Sequence, residues 1–287
     1  MLLVLSFLTL WGTVGCVAKT RKVQDSERPK PAQTATLDEL IARVSRQSEA
    51  FRSYQAKVRF DIRSGSLATG ELKDYREVKG FLLFRSPEHM RMIAQIPTVG
   101  MNALDMVTDG RQFRVSFAPY KKFIVGSTLD QPRSKKPLEN LRPVHILEIL
   151  HLEPISPASG SHLVFLEELV EGRDNFYVLF EVDRESSGGS QLRRKVWIDR
   201  FDLTVVRQQL YSAGGVLESD ARFGDYAPWD GVTYPRRIDF FRPREDYGLT
   251  IFFDDIKFNL TLDDSKFELA QPDGYELIEV GKKQIVP

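Results

Sequence analysis

The chain has 287 residues, 42% of them hydrophobic and 28% charged, with 40 basic side chains balanced by 40 acidic ones. That hydrophobic share supports a real core and is too high for a largely disordered chain, while zero net charge removes the broad electrostatic footprint of a nucleic-acid binder. One cysteine cannot form an internal disulfide or build a thiolate zinc site alone, and with only 4 histidines neither a metal centre nor a cofactor is expected.

Residues 1–11 are almost wholly apolar and lead into Gly12-Thr13-Val14-Gly15-Cys16. A bilayer span needs roughly 20 apolar residues, so this run is too short to cross and matches instead the apolar region of a secretory signal. The small residues before the cysteine resemble the bacterial lipobox, although Thr13 stands where Leu is usual and no Lys or Arg precedes the apolar run. The resemblance implies cleavage after Gly15 and lipidation of Cys16. An ordinary cleaved signal with an incidental thiol is the other reading. Val17 follows the cysteine where Asp would mark inner-membrane retention, so the resemblance implies an outer-membrane anchor facing the periplasm. Residues 16–35 are rich in charge, carry two prolines and lack apolar spacing. They are expected to form a flexible tether with a reach on the order of 25 Å.

Thr36 and Glu39 have the spacing of a capping box. Leu37, Leu40, Ile41, Val44, Ser48 and Phe51 then follow helical spacing, with Asp38, Glu39, Arg43, Arg46 and Glu49 facing outward. At Tyr54 the period falls to two. Tyr54, Ala56, Val58, Phe60 and Ile62 alternate with polar residues, which predicts a half-buried strand. Further strands are expected at 76–85, 89–97, 102–108, 112–118 and 121–125, with Asp109-Gly110 as a hairpin turn. Residues 144–154 are short, apolar and bounded by prolines, and predict a buried helix. Strands resume at 162–170, 175–182, 192–199, 203–212, 215–223, 232–241 and 249–258. Their close spacing favours antiparallel meanders over parallel crossovers. No linker divides 36–287, so one domain is expected.

Alternation fails at Phe81-Leu82-Leu83-Phe84 and at Ile251-Phe252-Phe253. Either helices cover the second face there, or the sheet curls round an apolar interior. Phe is abundant, at 19 against 9 Tyr and 3 Trp. The same residue types suit a packed core and an open ligand cavity, and sequence leaves the two open. Under the cavity reading, Phe60, Leu82, Phe84, Met92, Phe113, Phe180 and Phe253 are the candidate lining.

The order of helix, meander, short helix and second meander behind a lipoprotein-like signal resembles the LolA/LolB family of lipoprotein carriers and receptors. The stretches that carry the likeness are Gly80–Pro87, Met90-Arg91-Met92, Ile96–Gly100, Val107–Gly110, 196–211 and Phe267 to Gly274. The resemblance implies a mainly β fold, an incomplete antiparallel barrel with the N-terminal and mid-chain helices as a lid. It implies lipid or lipoprotein acyl chains as ligand, with a periplasmic carrier protein as a possible partner. A lipidated chain would stand nearer the LolB-type receptor. In those receptors an apolar residue on the loop between two strands assists cargo transfer. Val99, with Met101 beside it, matches that position, the alternative being that both fold back onto the barrel.

No catalytic signature is present. His145 and His151 lie six apart, whereas a zincin helix needs histidines four apart with Glu between them. His89 and His162 stand alone. Glu167-Glu168 and Asp254-Asp255 are neighbours in strands and point to opposite faces, so neither pair can share a substrate. The basic clusters at 133–136 and 193–195 have the look of solvated loops or anion contacts. The leading expectation is a non-enzymatic lipid-binding envelope protein. A sensor or assembly scaffold that binds a protein is the alternative, with a hydrolase third.

Overall fold

The computed structural model describes residues 31–66, 71–96, 100–128, 142–185 and 188–280. From Ala32 onward they form one compact unit.

Helix α1 (Leu37–Glu49) opens on the expected box. The Thr36 amide donates to Glu39 Oε2 at 2.7 Å, and the Glu39 amide returns a bond to Thr36 Oγ1 at 3.4 Å. Asp38 and Glu39 in its first turn and Arg46 in its last complement the helix dipole. The helix buries Leu40 and Val44, each contributing about 1.5–3 kcal/mol of burial.

Then come β1 (Ser53–Ser66), β2 (Glu71–Arg85), β3 (His89–Gln95), β4 (Asn102–Thr108), β5 (Gln112–Phe117) and β6 (Lys122–Ser127), followed by helix α2 (Pro143–Leu150). The second meander is β7 (His162–Glu171), β8 (Asp174–Arg184), β9 (Ser190–Asp199), β10 (Val205–Ser212), β11 (Val216–Trp229), β12 (Val232–Arg242) and β13 (Tyr247–Phe258). A last strand, β14 (Glu276–Val280), was not expected from the sequence. Among the described residues these form one 14-stranded sheet, β14-β6-β5-β4-β3-β2-β1-β13-β12-β11-β10-β9-β8-β7. The β1–β13 pairing fuses the two meanders, while β14 joins β6 in parallel. Strands β14 and β7 are separate edges, so the barrel is incomplete.

The inner face carries Tyr54, Ala56, Val58 and Phe60 of β1 with Leu82, Phe84, Met90, Met92, Met106, Ile238 and Ile251 of its neighbours, all in one core with both helices. Bulges in β1, after Lys57 against β13 and after Phe60 against β2, bend the strand. At the second of these, the Glu77 amide donates to Asp61 Oδ1 at 2.7 Å.

The doubly apolar stretch Phe81–Phe84 has a specific cause. Residues 259–275 cross the outer face as a strap from β13 to β14, and Leu262 and Phe267 pack on Leu83 with Phe81 at their margin. Arg85 and Arg91 donate to the Leu262 and Lys266 carbonyls at 2.8 and 3.0 Å and fasten the strap. Phe252 is handled differently, beneath the guanidinium groups of Arg59 and Arg237 at 5.2 and 5.7 Å.

Antiparallel alternation gives the strands two distinct ends. Residues 32–35 are fastened at one, where the Gln33 amide and side chain donate to the Arg200 and Phe201 carbonyls, both at 2.7 Å. The β3–β4 loop lies at the other end, with the 3-10 turn Ala118–Tyr120 and the start of β14.

Candidate functional site

Of the proposed lining, Phe60, Leu82, Phe84, Met92, Phe113 and Phe253 all face inward and are buried. Phe180 does not. On β8, Tyr177, Leu179 and Glu181 point inward, so alternation turns Phe180 outward, where the Lys195 ammonium sits 4.9 Å from its ring centre. Met101 is 61% exposed at the strand end remote from residues 32–35, as are Tyr120 at 58% and Leu277 at 47%. Cys16, Val99, the basic cluster at 133–136 and the tether up to residue 30 lie outside the described residues.

Among the described residues the apolar interior is packed with aromatic rings. Phe51, Tyr54, Phe84, Tyr234, Phe253 and Phe258 interlock, with ring centres 5.0 to 6.4 Å apart. His151 stacks on Phe84 at 5.0 Å and donates from Nε2 to the Ser48 carbonyl at 3.0 Å. Helix α2 lays Pro143, Ile146, Ile149 and Leu150 over this layer. A crevice of about 10 Å³ between α1, α2 and Tyr234 has room for one water at most, on the order of 10–15 Å³.

The other half of the inner face is polar, and the sequence reading missed it. Glu181 of β8 and Arg194 of β9 form a buried ion pair. Arg194 also donates to the Glu153 and Pro154 carbonyls at 2.9 and 3.3 Å and to Gln208 at 3.4 Å. Arg242 of β12 contacts Glu218 and Glu245 at 3.2 Å each. A signal was present: Arg194 shares strand parity with Val196 and Ile198, Arg242 with Ile238 and Phe240, and Glu181 with Tyr177 and Leu179. A cavity of about 280 Å³ lies between these strands and the Glu148 side of α2. Burial, with the Glu153, Glu218 and Glu245 carboxylates adding, pushes the Glu148 carboxyl up to about 7 against the pull of Arg242. Burial and the Arg242 and Arg142 guanidinium groups hold His145 well below the usual imidazole range, and its Nδ1 lies 3.1 Å from the Tyr247 hydroxyl.

A third recess of about 540 Å³ is on the outer face of β1, β2 and β11–β13. Its charges are matched locally, as in Arg63 with Asp74 at 3.1 Å and Arg237 with Asp239 at 2.9 Å. Among the described residues no group of three or more His, Cys, Asp or Glu is placed to hold a metal ion. His162 pairs instead with Asp183 at 2.9 Å.

No protein-family model and no curated protein matches the sequence. Solved structures do. A DUF1329 family protein from Desulfovibrio piger superposes with a TM-score of 0.52 at 15% identity, over 80% of this chain and 94% of that one. A LolA superfamily protein from Nitrosomonas europaea gives 0.50 at 15% identity, over 82% and 99%. A Vibrio parahaemolyticus domain described as outer membrane lipoprotein-sorting gives 0.50 at 11% identity, over 80% and 94%. At such identities the likeness is one of fold, and it extends over nearly all of each neighbour. The described residues therefore share the fold of these neighbours, an open, mostly antiparallel β-barrel with α1 and α2 packed in the core on its inner face.

Proposed function

We propose that this protein is a non-enzymatic carrier or receptor of the bacterial cell envelope. It holds an apolar ligand, lipoprotein acyl chains or lipid, between the sheet and α2. Lipidation at Cys16 anchors it in the outer membrane, and residues 17–31 tether the domain in the periplasm, since residues 32–35 are bonded to it. The reading rests on α2. This helix covers the apolar inner face with a few side chains, Ile146, Ile149 and Leu150, that an acyl chain can replace. Lifting them costs roughly 5–9 kcal/mol at about 1.5–3 kcal/mol each, whereas a chain of some sixteen methylenes gains on the order of 13 kcal/mol at about 0.8 each. The balance favours exchange of helix for ligand, with α2 closing the site when it is empty. The neighbour described as lipoprotein-sorting supports the reading by analogy of fold. Met101, with Val99, forms the apolar loop through which cargo is handed over, from a periplasmic carrier or onward.

Native mass spectrometry of the protein purified from a bacterial envelope tests this. The expected result is a population carrying the mass of one or more acylated molecules, which grows when Ile149→Ala loosens the closure by α2. Protein that is wholly ligand-free, and stays so after incubation with phospholipid vesicles, overturns it. A second reading, a sensor or scaffold that binds another protein, is favoured by one observation: Met101, Tyr120 and Leu277 stand exposed together at one strand end.

A further inference from the structure

The cavity beside α2 does not share the chemistry of the apolar interior. Its walls come from Glu148 on α2, Glu153 just beyond it, Arg193 and Arg194 of β9, Gln208 of β10, Glu218 of β11 and Arg242 of β12. The guanidinium groups there are already engaged. Arg193 meets Glu153 at 2.8 Å, Arg194 is spent on Glu181 and two carbonyls, and Arg242 on Glu218 and Glu245, while Arg244 lies 3.5 Å from Glu218. Glu148 is left over. Its Oε2 is buried without a hydrogen bond, and among the described residues it meets Arg242 Nη1 at 4.0 Å, too far to donate. The rest of the side chain is 34% exposed and opens on the cavity. Glu181 also has His162 Nε2 at 3.6 Å, so Glu148 is the carboxylate of this group that meets Arg242 only at 4.0 Å.

We propose that this cavity binds a primary ammonium group, which donates to the Glu148 carboxylate where it opens on the cavity. A fixed cation there would offset the desolvation of that carboxylate. It must bring N–H donors, because the vacant valence is that of a hydrogen-bond acceptor, and at about 280 Å³ the space admits a small substituent on the amine. A free amine and an amine-bearing lipid headgroup share this chemistry. The inference stands whether or not the apolar interior takes a ligand.

The groups that set the ionisation of Glu148 are Arg242 of β12, Glu153 after α2, Glu218 of β11 and Glu245 of the β12–β13 turn. His145, one turn earlier on α2, is held neutral and adds no charge. Binding therefore requires the ionised form of Glu148 and strengthens with pH. Titration of the full folded domain with ethanolamine, followed by amide chemical shifts, is expected to saturate at about pH 8 and to weaken more than roughly tenfold near pH 5.5. Glu148→Gln should lose roughly tenfold or more at about pH 8, the expected scale for a charged hydrogen bond. Glu167→Gln on the exposed edge strand should bind as the parent does. Choline, which has the charge but no N–H, should bind far more weakly, and ethylene glycol not at all. A further arm presents phosphatidylethanolamine against phosphatidylcholine vesicles: preference for the former assigns a headgroup, and response to free ethanolamine alone assigns a soluble amine. No saturable shift with ethanolamine, equal affinity for choline, or unchanged affinity in a Glu148→Gln protein whose spectrum shows it folded would each overturn the proposal.

Discussion

The hydroxyl of Tyr234 on β12 donates to the carbonyl of Leu150, the last residue of α2, at 2.8 Å in a buried setting. The final carbonyls of a helix have no partner within it, so this bond caps α2 and latches it to the sheet. Tyr234→Phe keeps the ring and its edge contacts with Phe51 and Phe253 while leaving the carbonyl without its donor. The loss should be about 1–3 kcal/mol in denaturant titration. Hydrogen exchange checks the location. Amides of α2 should exchange faster by roughly tenfold per 1.4 kcal/mol lost, while those of β1 and β2 follow only the global change.

The burial of Glu148 gives stability a pH dependence of defined sign. Its carboxyl has a folded value of about 7 against an ordinary value of 4.5. Between those limits the folded state binds more protons than the unfolded, so this group lowers stability as pH rises through the window. Glu148→Gln removes the titration and should gain relative to the parent from about pH 5 to about pH 8, the melting temperatures diverging most above pH 7. A difference between the two proteins that is flat with pH, or that shrinks as pH rises, contradicts the burial of this carboxyl.

Most of the elements were legible because each rests on a local period. The box at Thr36 and Glu39 fixed the start of α1, and the switch to period two at Tyr54 fixed β1. The β14 strand escaped because Glu276–Val280 is short, half polar and paired in parallel far from its sequence neighbours. The two faces of Phe81–Phe84 posed a question whose answer lay in Leu262 and Phe267, which pack there only through tertiary structure. Site residues were less legible. Phe60 and Phe253 followed parity, but Phe180 was placed by residue type when its parity with Phe176 and Val178 puts it outside. Whether such a lining is open or closed depends on α2, which no period reports. The polar half was visible as charges at inward positions and was passed over as solvated surface.

Glu181 and Arg194 illustrate how much that polar half holds in place. Both side chains are almost wholly buried, and Arg194 also fixes the segment after α2 through the Glu153 and Pro154 carbonyls. Arg194→Met leaves the Glu181 carboxylate in a low-dielectric site with only His162, at 3.6 Å, beside it, and should cost about 3–5 kcal/mol. Adding Glu181→Leu removes the stranded charge and should recover much of the loss. What remains measures the two carbonyl bonds and the bond to Gln208. Denaturation midpoints of the two single variants and the double form the cycle, and strict additivity would show that the ion pair carries no coupling.

Gly80 on β2 opposes Ala94 of β3 where the two strands pass the ring of Phe60. A Cβ there would lie 2.0 Å from the Ile93 carbonyl oxygen and 2.7 Å from Phe60 Cε2. The oxygen belongs to the backbone of a paired strand and the ring is fully buried, so neither can yield without moving β3 or the core. Gly80→Ala should therefore destabilise by about 1–3 kcal/mol or more, the cost of overpacking, against the usual gain from replacing glycine in a strand. Gly224 on β11 is the control: a Cβ there has nothing within 4 Å. Gly224→Ala should stabilise by about 0.4–1 kcal/mol through the unfolded chain. Opposite signs in urea titrations of the two variants are the expected outcome. A neutral Gly80→Ala would mean that β2 and β3 stand further apart at Phe60 than the packing of this core requires.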